Sequence, residues 1–140
     1  MRYLLDTCVI SELVSKQPNP AVIDWIDSID DDYIYLSIIT IGEIKKGIEK
    51  LPDSARKKQL VAWLEEDLLS RFQGRIVGID ASVMLTWGTL ITKLEQQGTP
   101  LPAMDSLIAA IVLHSNLTLV TRNVQDFERT TIPLCNPWLR

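Results

Sequence analysis

The feature that most limits how this chain can fold is a repeated passage from a short β-type run into a helix pattern. Tyr3-Leu4-Leu5 is apolar and stops at Asp6, and residues 9–14 continue as a helix-compatible apolar segment. Tyr33-Ile34-Tyr35-Leu36-Ser37 is rich in aromatic and β-branched residues, as strands are, and Thr40-Ile41-Gly42-Glu43 then opens a helix that runs to about Lys50. Residues 75–80 and 117–121 supply a third and a fourth strand, and 131–134 a short last one. Further helix patterns fill the gaps. One covers 21–29, with Asn19-Pro20 as its cap and first turn. A long one starts at Asp53-Ser54 and carries Leu60, Leu64, Leu68 and Phe72 at every fourth position. Val83, Trp87, Leu90, Ile91 and Leu94 mark another, closed by Gly98, and residues 106–115 are apolar nearly all round, which marks a central helix. Strands alternating with helices predict an α/β fold: a three-layer α/β/α sandwich with a small, mainly parallel sheet.

Composition narrows the function. With 140 residues, 46% hydrophobic and 23% charged, the chain fits one globular domain, 1–140. No apolar run approaches the roughly 20 residues that span a bilayer. The first residues lack the apolar core of a signal peptide, so a cytoplasmic protein without membrane contact is expected. Cys8 and Cys135 form no ligand pattern, and His114 is the sole histidine. Thiolate or imidazole zinc sites and Ser-His-Asp catalysis lack their parts. The net charge of −4 argues against direct binding of duplex DNA by this chain alone. It is compatible with an enzyme that meets phosphate through a cation held by carboxylates.

Right-handed crossovers bring the strand ends to one edge of the sheet, where ligands of open α/β sheets bind. That edge receives Asp6 after the first strand, and Asn123 with Asp126 after the fourth. Glu43 is expected in the first turn after the second strand, and Asp105 in the first turn of the apolar helix. Each has a bland reading. Asp6 is a favoured N-cap, Glu43 can pair with Lys46, Asp105 suits the helix dipole, and Asn123 is a common turn amide. Gly42 beside Glu43 favours close approach by another group. Together the acids repel one another and call for a cation, raised pKa values or a hydrogen-bond network. Mg²⁺, which takes oxygen ligands and keeps several waters, suits them. It can hold a phosphodiester oxygen while a bound water attacks in line.

Four blocks carry a family resemblance: Leu5-Asp6-Thr7-Cys8-Val9-Ile10-Ser11-Glu12-Leu13, Thr40-Ile41-Gly42-Glu43-Ile44-Lys45-Lys46-Gly47-Ile48, Pro102-Ala103-Met104-Asp105-Ser106-Leu107-Ile108-Ala109-Ala110 and Leu119-Val120-Thr121-Arg122-Asn123-Val124-Gln125-Asp126-Phe127. In this order they resemble PIN-domain proteins, nearest to the VapC and FitB-like toxins of bacterial toxin–antitoxin modules. The resemblance implies a PIN-like fold and a Mg²⁺-dependent endoribonuclease, with Mn²⁺ as substitute. It places Asp6, Glu43 and Asp105 at the family's acidic metal positions and Asn123 at a fourth, often Asp, so that Asn123 or Asp126 completes the site. Thr7 is expected to support the site through its hydroxyl and Arg122 to meet substrate phosphate. A homodimer, an RNA substrate and a cognate antitoxin, with a possible hetero-oligomer, are implied as partners. The antitoxin would supply DNA binding. Two other classes compete: a catalytically weak or dead partner-binding domain, and a phosphoacceptor module, for which adjacent acids after the first strand and a late lysine are missing.

Overall fold

The computed structural model describes residues 1–139. Among them β1 (Tyr3–Leu5), β2 (Ile34–Ser37), β3 (Ile76–Val77), β4 (Thr118–Val120) and β5 (Leu134–Cys135) form one parallel sheet in the order β3-β2-β1-β4-β5. Alternation along the strands divides two cores. Leu4 and Leu119 face one side and Leu5 and Val120 the other, as a period of two requires. Register keeps the faces matched, with Leu4 beside Leu119 and Leu5 beside Val120. On the first face lie α6 (Ala81–Gln96) and α7 (Ala103–Ser115), in which Ile108, Ala109, Ala110, Ile111 and Val112 are buried. The second face is covered by α1 (Thr7–Glu12), α2 (Pro20–Ser28) and the long helical stretch 55–71, with α3 (Ile38–Glu49) beside them.

Caps set most helix starts. The Asn19 side chain accepts from the N–H groups of Ala21 (2.9 Å) and Val22 (3.4 Å), and Asp80 from Val83 (2.9 Å). In α3 the cap is Ser37, whose Oγ accepts from the Thr40 N–H at 3.1 Å. The helix therefore begins at Ile38, and Glu43 lies in its second turn rather than the expected first. Two strands are shorter or shifted. The expected strand over 75–80 pairs only at Ile76 and Val77, because its sole neighbour ends at Ser37 and turns into α3. The last strand is at Leu134–Cys135, since Thr131, with φ 60°, sits in a left-handed turn that strands do not contain.

The four-residue stripe has a structural consequence. An α-helix turns every 3.6 residues, so a stripe at every fourth position drifts around it. Between α4 (Ala55–Ala62) and α5 (Leu69–Arg71) the chain relaxes this drift with a π-helical turn, Trp63–Leu68. Leu64, Leu68 and Phe72 are consequently all buried. The stripe belongs to this chain's own core, with Leu60 packed against it.

Phe72→Ala is expected to destabilise the fold by about 3–5 kcal/mol. Glu66→Ala, on the exposed side of the same π-helical turn, should stay within about 0.5 kcal/mol. Urea unfolding of both variants checks the contrast.

Candidate active site

In the strand order, β2 and β4 flank β1 on opposite sides, so the crevice beyond the carboxyl ends of β1 and β4 is a topological switch point. Asp6 stands in it. Its backbone N–H donates to the Val120 carbonyl (3.0 Å), which ties it to the neighbouring strand end. One carboxylate oxygen accepts from the Thr7 N–H (2.9 Å) and the other from the Thr121 hydroxyl (2.8 Å). Asp6 thus both caps α1 and is held rigidly, only 9% exposed, at the crevice floor.

Glu43 is reached by a chain of hydroxyls. The Thr7 Oγ1 lies 2.7 Å from the Glu43 Oε1 and 3.2 Å from the Thr40 Oγ1, which is itself 3.4 Å from the Ser37 Oγ. Each hydroxyl has one proton to give. The shortest contact goes to the carboxylate, so the donors run Ser37 to Thr40 to Thr7 to Glu43. The Thr7 hydroxyl, expected beside the acids, is thus in contact with Glu43.

Asp105 lies in the first turn of α7, as expected, and its position is fixed from beneath. The Trp87 indole N–H donates to the Ser106 Oγ (2.9 Å), and that hydroxyl donates to the Ala103 carbonyl (2.6 Å). No side chain caps α7, and among the described residues the Asp105 carboxylate accepts no hydrogen bond.

After β4 the chain presents Thr121, Arg122 and Asn123, then α8 (Val124–Phe127) with Asp126. The fully buried Thr121 hydroxyl, besides holding Asp6, accepts from the Asn123 N–H (3.0 Å). The Asn123 side chain is exposed and caps no helix. Arg122 is exposed and lies over the Trp138 ring, 5.5 Å from its centroid. Thr121, Ser37, Thr40 and Ser106 are the residues that sequence reasoning passed over. The available signal was a hydroxyl where an apolar strand or helix meets the acidic edge.

Electrostatics bind these places into one site. Burial pushes the Asp6 carboxyl above the usual range; the Thr121 and Thr7 hydrogen bonds oppose this, and the charges of Glu43 and Asp126 add to it. Asp105 is raised first by burial, then by Asp6, Asp126 and Glu43. Asp126 therefore shares the site's field, beyond the supporting place that its sequence position gave it. Among the described residues no Lys or Arg forms an ion pair with these four acids, and no three of them close into a ready-made cage. Hard oxygen donors with uncompensated charge fit a Mg²⁺ ion that takes one or two carboxylates and keeps its waters.

The PIN domain family model matches residues 3–132. The chain belongs to the PIN domain family. Among the relatives of this PIN domain, toxin FitB of Neisseria gonorrhoeae is 36% identical over 96% of this chain and 97% of its own length. VapC ribonuclease Y4jK of Sinorhizobium fredii is 31% identical over 96% of each. The crystal structure of FitAcB from Neisseria gonorrhoeae has a TM-score of 0.93 at 35% identity and covers 99% of both chains. None of the described helices is long and apolar enough to cross a membrane.

Beside the acids, the PIN domain has an apolar groove of about 660 Å³. Ile38, Ile79, Met104 and Leu107 line it, Glu43 stands at one margin, and Lys46 and Lys50 add positive charge. A Cβ at Gly42 or Gly47 would meet nothing within 4 Å, so nothing in this chain makes the close approach expected at Gly42. Those glycines instead keep the groove open.

Raised carboxyl pKa values carry a sign. The folded PIN domain binds protons at Asp6 and Asp105 more tightly than the unfolded chain does. Their contribution to stability is thus fully present below the ordinary carboxylate pKa and is lost as pH rises through the raised values. In EDTA, the part of the melting temperature that these acids control should rise as pH falls from neutral towards the ordinary carboxylate range. Comparing thermal melts of Asp105→Asn and the parent isolates that part: the variant should show a smaller pH dependence, and an equal or steeper one would contradict the assignment.

Proposed function

We propose that this PIN domain is a divalent-cation-dependent endoribonuclease and the toxin of a toxin–antitoxin pair. The observation that carries this reading is the gathering of Asp6, Glu43, Asp105 and Asp126 at the switch point of a parallel sheet with no Lys or Arg paired to them among the described residues. The names of its relatives, a toxin and a VapC ribonuclease, support it.

In this reading Asp6 and Asp105 hold Mg²⁺ (Mn²⁺ as substitute) directly, and Glu43 reaches it or its water shell. When bound, the ion supplies charge neutralisation for a phosphodiester oxygen and acidifies a water. The chain's own residues do the rest. Thr121 and the Thr7 N–H keep Asp6 from turning away, so its charge needs no reorganisation when substrate arrives. Thr7 fixes Glu43 by donation to Oε1, leaving Oε2 to orient the attacking water and receive its proton. Asp126, rather than the neutral Asn123, completes the acidic set, because its charge is felt at both Asp6 and Asp105. Asn123 offers a neutral amide beside it. The substrate is RNA, cut in single-stranded or looped segments, as the family resemblance implies.

The groove is the surface we assign to a cognate antitoxin. An amphipathic helix there would cover Met104 and Ile38 and could extend an Arg to the carboxylates. The antitoxin would then bring DNA binding that a chain of net charge −4 does not favour. We also propose a homodimer as the working form, enlarged by antitoxin into a hetero-oligomer.

Antitoxin-free protein should cut defined transfer and ribosomal RNAs with Mg²⁺ or Mn²⁺ and not in EDTA. Asp6→Asn and Asp105→Asn should each lower the rate by at least about 100-fold, the scale of losing one charge-stabilising group. Cleavage that survives both substitutions would place the chemistry elsewhere. Absence of cleavage under every condition would favour a partner-binding domain.

A further inference from the structure

Four arginines lie over aromatic rings: Arg2 over Tyr35, Arg71 and Arg75 over Phe72, and Arg122 over Trp138. Three of them have their N–H groups engaged. Arg2 donates to the Ser115 carbonyl (2.7 Å), Arg71 to Asp31 (3.2 Å), and Arg75 to the carbonyls of Ile34 (2.5 Å) and Arg71. Among the described residues the Arg122 guanidinium alone of the four makes neither a hydrogen bond nor an ion pair. It follows directly on Thr121, whose hydroxyl is seated on Asp6.

The ring beneath it is not a loose tail. The Trp138 N–H donates to the Asn136 Oδ1 (2.9 Å), and the Leu139 N–H to the Asn136 carbonyl (3.2 Å). Pro137 is buried, and Trp138 packs against the core that contains Leu5 and Val120, the residues just before Asp6 and Thr121. The chain thus builds a fixed aromatic shelf beside the acidic crevice and lays one unsatisfied guanidinium on it. A guanidinium held over an aromatic face by its charge leaves its N–H donors available, in a fork that matches two oxygens of a phosphate.

We propose that Arg122 grips an RNA backbone phosphate next to the scissile one and that Trp138 is the positioning residue that holds it there. The proposal rests on the nuclease reading and deepens it. RNA approaching four carboxylates meets repulsion, and a preoriented cation at the rim supplies the first favourable contact. Trp138 acts through Arg122 and need not touch the substrate.

The test uses the full chain and a fluorescent single-stranded RNA, with binding read by anisotropy in Ca²⁺ and cleavage read separately in Mg²⁺. Arg122→Ala should weaken binding and raise KM roughly tenfold, the same for different RNA sequences, while kcat changes little. Its slope of log affinity against log salt should be lower by about 0.7, the value for one phosphate on a single strand. Trp138→Leu should move both quantities the same way, Trp138→Phe should restore most of the loss, and Arg122→Ala with Trp138→Leu together should be no worse than Arg122→Ala. Should Trp138→Leu fail to fold, the salt slope of the surface variant Arg122→Ala still decides. Unchanged binding, additive losses, or a fall in kcat at constant KM would overturn the clamp. If RNA binds and these variants lose it but no protein cleaves, the clamp stands and the nuclease reading falls. If RNA does not bind the parent chain, both fall.

Discussion

Repulsion among carboxylates at the carboxyl end of the sheet is the constraint on which the rest of this structure turns. Asp6, Glu43, Asp105 and Asp126 come from four separate stretches of chain, and the charges of Glu43 and Asp126 raise the cost of ionising Asp6 and Asp105. Two of them are moored directly. Asp6 is held by Thr121 and the Thr7 N–H, Glu43 by Thr7. Asp105 has none of its own and rides on α7, whose first turn is pinned through Trp87 and Ser106. The two cores on either side of the sheet make these moorings rigid.

That division explains why so much of the polar chemistry away from the acids is structural. The arginines at 2, 71 and 75 stitch the far ends of strands and helices, and Asp31 answers Arg71. The π-helical turn keeps Phe72 in the core beneath β2 without disturbing the edge. What remains uncommitted lies close to the acids: the groove with its glycines and lysines, and Arg122 on its tryptophan shelf. On the proposed function, substrate and antitoxin would meet neighbouring surfaces of one small domain, so that one would occlude the other.

Much of this was legible in the sequence. Strand–helix alternation gave the parallel sandwich, because period-two runs and amphipathic helices leave few other ways to bury both faces. Asp6 and Asp105 were legible because each follows or opens a strongly patterned element. The start of Glu43's helix was misjudged by two residues, since Ser37 caps it and Ile38 and Ile39, which read as a continuation of the strand, already belong to the helix. The edge strands were overestimated or displaced because their length depends on a neighbour's end and on a left-handed Thr131, neither of which composition reveals. Thr121 was invisible as a functional residue: a threonine ending a β run is ordinary, and only the pairing of β4 with β1 brings it to Asp6. The stacking of Arg122 on Trp138 likewise depends on a tail that folds back beside β4.

The central claim, that these acids are held apart for a divalent ion to join, is tested most directly by thermal unfolding during a Mn²⁺ titration of antitoxin-free protein. Ligand that binds only the folded state raises stability with the logarithm of its concentration above Kd. The parent chain should show that rise, and Asp6→Asn and Asp105→Asn should each flatten it. A rise of equal size in all three proteins, or none in the parent at millimolar Mn²⁺, would contradict it.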